Sequence, residues 1–339
     1  MSGLVFHAPL LASHPGFEVK KIVERSSQKS LQTHPRVEVV RSFEELLRDE
    51  NIGLVVVNTP DFLHYAMAEQ ALRADKHVVV EKPFTLASAE AQALIALARE
   101  RGRLLSVFQN RRWDGDFLTV QRVVESGWLG QLVEYESHYD RFRNYIDADN
   151  WKEGTKPGSP ASAGLLYNLG SHLIDQALVL FGMPARVTAD LRVQRPGGRI
   201  VDGYELILDY GGLKVTLKSS YLVREPGPRF VLHGTEGSFV KYGIDPQEEA
   251  LKAKKTPGSA GWGQEPEADW GLLNTDIGGL HFRGKIETLP GNYLRYYDGV
   301  YDALTTGEEP AVKAEEAANG IRIIEAAMES SREKRSVAL

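Results

Sequence analysis

The chain has 339 residues, 40 Lys and Arg against 46 Asp and Glu, a net charge of -6, 42% apolar residues and no cysteine. That length accommodates two domains with their own cores, and the interspersed, net acidic charge excludes the clustered cations that binding along a nucleic-acid backbone needs. Without cysteine there is no disulfide, thiolate nucleophile or cysteine-held metal; no apolar run approaches the roughly 18 residues of a membrane helix, and Leu4 to Leu11 lacks the flanks of a signal peptide, so a cytoplasmic protein is expected.

The chain opens MSGLVFHAPLL, a glycine leading into a helical stretch. From residue 17 short apolar runs follow: FEVKKIV (17–23), VEVV (37–40), IGLVVVN (52–58), KHVVVE (76–81) and RLLSVF (103–108). Between them SFEELLRD, DFLHYAMAEQALRAD and SAEAQALIALARERG read as helices, with Ser or Asp near two starts and Gly102 just past the last. Strands apolar on both faces, alternating with helices, predict a doubly wound parallel sheet of Rossmann type over residues 1–115.

In such a domain the first strand ends in G-x-G-x-x-G and the next helix receives a pyrophosphate. Gly3 fits the third glycine; the first strand and first two glycines would fall ahead of Met1, so Met1 is expected not to be the natural start. Glu24, ending the next run about twenty residues on, stands where a ribose contact belongs. The stretch ERSS (24–27) points both ways, since a lone acid suits the 2'-hydroxyl of NAD while Arg25 and Ser26 suit the 2'-phosphate of NADP.

After residue 130 the pattern changes. LVEYESHY, ARVTADLRV, YELILDY, LKVTLKSSY and RFVLHG follow one another with short turn signals such as DYGG and GTEG, so hairpins replace crossovers. A second α/β domain with an open, mostly antiparallel sheet is expected over 116–339, with residues 253–278, rich in Gly, Pro and polar residues, as a long surface loop. Lys82 ends its strand beside Pro83, where ligands gather in open parallel sheets. Asn168, His172 and Asp175 share one helix face, as a site or as a solvated stripe. Arg112 and Trp113 border the cleft or join the domains; Tyr293, Tyr296, Tyr297 and Tyr301 read as packing, and RFRNYIDADNWKE (141–153) offers polar groups for a polyhydroxylated substrate.

At NTPDFLHY (58–65), VVVEKPFT (78–85), QNRRWDGDF (109–117) and GLLYNLGSHLIDQALVLFGMP (164–184) the sequence resembles the glucose-fructose oxidoreductase, inositol dehydrogenase and MocA family, and is most similar to its NADP-dependent scyllo-inositol 2-dehydrogenase branch. The resemblance implies an oxidoreductase moving a hydride between nicotinamide and a secondary alcohol or ketone of a cyclic polyol or sugar. It implies Lys82 as the catalytic lysine with a cis peptide to Pro83, His172 sharing the proton transfer, and position 168, usually an aspartate in the family, as the lysine's partner. Here that residue is Asn168, which can accept a hydrogen bond but holds no charge. Asn58, Thr59, Pro60, His64, Glu81 and Lys82 would line the ribose and nicotinamide; the resemblance tips the cofactor to NADP through Arg25 and Ser26, with NAD second. It further implies a homodimer or homotetramer through the second-domain sheet, with the C-terminal helix packing back on the first domain. No metal is expected. A dinucleotide-binding regulator without catalysis, and an aldose or other reductase, are the alternatives.

Overall fold

The structure, a computed structural model, describes residues 2–148, 151–153 and 164–339. Gly3–His7 forms a single π turn that runs into an α-helix at Ala8–Ser13. Strand β1 (Lys21–Val23) pairs in parallel with β2 (Glu38–Val40), and β3 (Leu54–Val57), β4 (His77–Val80) and β5 (Leu105–Val107) form a second parallel set in that order. Among the described residues no strand joins β1 to β3, so the parallel strands lie in two sheets.

The crossover helices form where the apolar spacing placed them. The helix His64–Arg73 buries Ala68, Ala71 and Leu72, and Ser88–Arg101 buries Ala91, Leu94 and Ile95, in one core with Val55 and Val57 of β3 and Val78 and Val80 of β4. Ser42 caps the helix Phe43–Leu47 by accepting from the Glu45 N–H at 3.1 Å. Gly102 ends Ser88–Arg101 at φ +59°, a left-handed turn that costs glycine nothing.

The second half is built on a nine-stranded sheet. Its strands are β6 (Leu132–His138), β7 (Arg186–Arg192), β8 (Gly203–Asp209), β9 (Lys214–Ser220), β10 (Phe230–Gly234), β11 (Gly237–Lys241), β12 (Gly271–Ile277), β13 (Leu280–Ile286) and β14 (Val337–Ala338), in spatial order 13-12-11-10-6-9-8-7-14. Every neighbouring pair is antiparallel except β6 and β9. The expected surface loop at 253–278 is therefore shorter than its composition suggests. Residues 271–277 instead pair with both β11 and β13, burying Gly271, Leu273 and Thr275 at every second position. A side chain at 271 would strike the Phe239 ring, so the glycine that reads as a loop signal is a close-packing residue of the strand.

The helices Ser171–Phe181 and Ala314–Glu333 pack on each other, and the second also covers β7 and reaches the first domain. There Arg99 meets Glu315 at 2.7 Å and the Ser88 N–H donates to Glu325 at 2.8 Å. Tyr293, Tyr296 and Tyr297 are buried with Leu10 and Phe108, which ties the first helix to the helix Leu294–Thr306. Among the described residues no helix is long and apolar enough to cross a membrane, and no group of three or more His, Asp and Glu could hold a metal.

Candidate active site

The carboxyl ends of β3 and β4 open into a cleft of about 610 Å³ whose far wall is supplied by the second domain. Ligands collect at this end of a parallel sheet because the loops there diverge and leave a crevice. Asn58, Thr59 and Pro60 follow β3 into it; Glu81 and Lys82 follow β4.

Lys82 precedes a cis peptide to Pro83. Its Nζ donates to the main-chain carbonyl of Asn168 at 2.7 Å and lies 3.4 Å from the Asn168 amide oxygen. Burial, with the charge of Lys152 added, lowers the Lys82 ammonium from its usual range to about 7; Glu81 pulls the other way. Glu81 is itself buried. Although burial pushes its carboxyl up, His7, Lys82 and Ser2 hold it down at about 2: His7 Nε2 lies 3.1 Å from Oε1, the Ser2 hydroxyl donates to the same oxygen, and the Lys82 N–H donates to Oε2 at 2.9 Å.

Asn168 belongs to a second π turn, Leu166–Gly170, that leads into Ser171–Phe181. His172 is one residue into that helix, lines the cleft and is buried. Burial, and then the nearby cations Lys82, Arg111, Arg229 and Arg141, push its imidazole well below the usual range, so it is neutral. Its Nδ1 is buried with no partner among the described residues, a polar atom left for something else to satisfy. Asp175, on the same face, instead accepts both prongs of Arg112 at 2.8 Å.

The nucleotide side also has the features of a binding surface. A Cβ at Gly3 would lie 2.4 Å from the Asn58 amide nitrogen, so a larger residue there would displace the Asn58 side chain that packs against the first helix. Thr59 Oγ1 is buried without a partner among the described residues. His64 lines the cleft, yet its ring nitrogens face the carbonyls of Pro83 at 2.8 Å and Thr59 at 3.0 Å, so it ties the two strand-end loops together. These residues fit a nicotinamide dinucleotide, which Asn58, Thr59, Pro60 and Glu81 would hold.

Other expected residues lie elsewhere. Glu24 turns inward on its own loop, accepting from the Ser27 hydroxyl and from the N–H groups of Lys29 at 3.0 Å and Ser30 at 2.8 Å, while Arg25 and Ser26 are exposed and outside the cleft. Arg112 is committed to Asp175 and to Glu316 at 2.7 Å, the inter-domain bridge that was its alternative reading. Trp113 packs edge-on against Tyr296 at 6.0 Å. Arg111, Arg112's neighbour, is the arginine that reaches the cleft, bound to Asp114 at 3.2 Å and Glu248 at 2.5 Å. The loop 141–153 contributes Arg141, Arg143, Lys152 and Glu153 to the wall, which the sequence marks only by composition; residues 149 and 150 of that loop lie outside the described residues.

A parallel nucleotide-binding sheet, a strand-end lysine of lowered pKa and a neutral histidine of the second domain lining the same cleft define a dinucleotide-dependent oxidoreductase. Residues 1–109 match the NAD-binding Rossmann fold of the oxidoreductase family of glucose-fructose oxidoreductase, inositol dehydrogenase and MocA, and 121–339 match its C-terminal alpha/beta domain. The chain belongs to that family. It is 44% identical to scyllo-inositol 2-dehydrogenase (NADP(+)) IolW of Bacillus subtilis, over all of this chain and 93% of that protein. It is 41% identical to the uncharacterized oxidoreductase YdgJ of Escherichia coli, over 98% of this chain and 94% of that one. The crystal structure of an oxidoreductase from Bacillus cereus superposes with a TM-score of 0.91 at 37% identity, covering 100% of this chain and 96% of that one.

Proposed function

We propose that this dehydrogenase acts on CH–OH donors with NADP, interconverting a secondary alcohol and a ketone on a cyclic polyol or sugar. The observation that carries the reading is that Lys82, held by the Asn168 carbonyl, and His172, with its Nδ1 unpartnered among the described residues, both line the cleft that Asn58, Thr59 and Pro60 also line. A bound nicotinamide supplies or accepts the hydride, and every proton task falls to the chain. In the oxidation direction neutral Lys82 accepts the hydroxyl proton; in reduction its ammonium returns it. The Asn168 carbonyl holds Lys82 in place, and His172, being neutral, hydrogen-bonds the reacting oxygen without adding charge. The relative IolW is named for NADP, and the exposed Arg25 and Ser26 are suited to a 2'-phosphate. The same reading has two or four copies associate through the second-domain sheet.

The test is a panel of inositols, aldoses and ketoses assayed with NADP and NAD by nicotinamide absorbance. Reduction of NADP by a cyclic polyol or sugar is expected. Silence across the panel, with NADPH still bound, would sink the dehydrogenase reading and leave a dinucleotide-binding protein.

A further inference from the structure

The second-domain wall of the cleft carries two arginines, Arg141 and Arg143, with no carboxylate within ion-pair distance among the described residues; Glu248, the acid whose field reaches Arg141, is bound to Arg111 and Lys252. Residues 141–143 run as an extra extended segment beside the end of β9: the Arg141 N–H donates to Ser220 O at 3.0 Å, the Arg143 N–H to Tyr221 O at 2.7 Å, and Phe142 bridges Leu222. The pleat then puts Arg141 and Arg143 on one face and Phe142 on the other. Both arginines line the cleft, whereas Phe142 is exposed under Arg224, 4.4 Å from its ring.

Each guanidinium lies over an aromatic ring, Arg141 5.5 Å from Tyr139 and Arg143 5.5 Å from Tyr221. Neither meets a carboxylate within ion-pair distance among the described residues. The other arginines nearby are all matched. Arg111 takes Asp114 and Glu248, and Arg195 takes Glu153 and Asp202. Thus Glu153 and Glu248, although they line the cleft, are already spent on other cations, and Glu81 on the far side accepts from Ser2 and His7. Asn168, between Lys82 and Lys152, adds no negative charge. Asp61, in the loop after β3, remains as the acid facing the cavity. A neutral polyol is recognised by a balance of donors and acceptors, but this wall offers donors in planar, ring-supported forks, the arrangement that selects an oxyanion.

Resting on the dehydrogenase reading, the geometry points to a substrate that bears an anionic group, a carboxylate or a phosphate, received by Arg141 and Arg143 while the carbinol faces Lys82 and His172. The guanidiniums belong to the second domain, across the cleft from Gly3 and Asn58, so they serve the substrate and not the dinucleotide.

The experiment uses the full chain with matched neutral and acidic polyols: an inositol against its monophosphate, and an aldose against its uronate and its 6-phosphate. Turnover with NADP(H) and calorimetric binding to the NADP-loaded protein are both measured. One acidic class is expected to exceed its neutral partner about tenfold or more in kcat/KM and in affinity, with the advantage shrinking at high salt; whichever of uronate and phosphate shows it identifies the anion. Arg141→Gln with Arg143→Gln removes that advantage through KM and spares NADPH binding, and Lys at both positions restores part of it. Equal or better use of the neutral compounds overturns the inference and leaves the dehydrogenase reading standing. Should no compound turn over, binding still decides, because equal affinity for the acidic and neutral members overturns it. Loss of NADPH affinity in the Gln variants also overturns it, assigning the arginines to the cofactor.

Discussion

Lys82 Nζ rests 2.7 Å from the main-chain carbonyl of Asn168, and the same residue's amide oxygen is shared between Lys82 at 3.4 Å and Lys152 Nζ at 3.2 Å. Two ammonium groups therefore converge on an uncharged acceptor. Asn168→Asp places a carboxylate between them, and an opposite charge at that range favours a lysine's charged form by about 1–3 pH units. In the parent, alcohol oxidation is expected to rise with pH through about 7, as Lys82 loses its proton. In Asn168→Asp that rise moves to higher pH, and ketone reduction persists to higher pH as well. A pH–rate profile of the variant superposing on the parent would remove Lys82 as the titrating base.

The same lysine is a liability for stability. Its folded value of about 7 lies below the 10.5 of an exposed lysine, so between those two values the unfolded chain holds the extra proton. Stability from this group is therefore lowest below about pH 7 and rises as pH climbs toward 10.5. Lys82→Met removes the buried charge. The variant is expected to melt higher than the parent, most clearly near pH 6 and with little difference near pH 10, while turnover is abolished and NADPH binding stays within about a few-fold. A lower melting temperature than the parent at both pH values would show that Lys82 is held by favourable contacts and not at a cost.

Much of this site is legible in the sequence because its parts sit at predictable places: Lys82 at a strand end before proline, and His172 and Asp175 one turn apart on an apolar helix. What the sequence hides depends on geometry at a finer grain. Arg111 and Arg112 are adjacent and identical in type, yet the tight turn Asn110–Trp113 sends one to the cleft and the other to the domain seam. The π turn at Leu166–Gly170 leaves no signature in residue type, and it is a main-chain oxygen of that turn that Lys82 finds. The strand β12 has a loop's composition and owes its form to neighbours on both edges.

The Arg112 bridge yields a prediction about folding that spares chemistry. Its guanidinium and the Asp175 carboxylate are both largely buried, joined by two 2.8 Å hydrogen bonds, with Glu316 on the third nitrogen. Arg112→Ala strands Asp175 without a partner, and breaking one side of such a pair costs about 3–5 kcal/mol. A large drop in denaturant midpoint is expected, with kcat nearly intact at low temperature. Since Glu316 is substantially exposed, Glu316→Ala should change stability by no more than about 1 kcal/mol. Similar losses in the two variants would contradict this division of roles.

In the proposed reading, cofactor choice turns on the loop after β1. The Glu24 carboxylate is pulled down to about 2, first by the Ser27 hydroxyl and then by Ser30, and Arg41 Nη1 clamps the loop through the carbonyls of Glu24 at 2.8 Å and Ser27 at 2.6 Å. With three donors from its own loop already on it, that carboxylate has little acceptor capacity left for ribose hydroxyls, and its negative charge is partly satisfied. Arg25, exposed beside it, has no carboxylate partner among the described residues, and it is the residue to which the proposed NADP reading gives the 2'-phosphate. Arg25→Ala is therefore expected to raise the KM for NADP by about 10- to 100-fold and that for NAD by no more than about threefold, because only the 2'-phosphate gives the guanidinium a charged partner. Glu24→Gln, by contrast, turns an amide NH₂ toward donors that need an acceptor, loosens the loop, and should weaken both dinucleotides alike. Equal losses for NADP and NAD in Arg25→Ala would mean that the 2'-position is read by another residue.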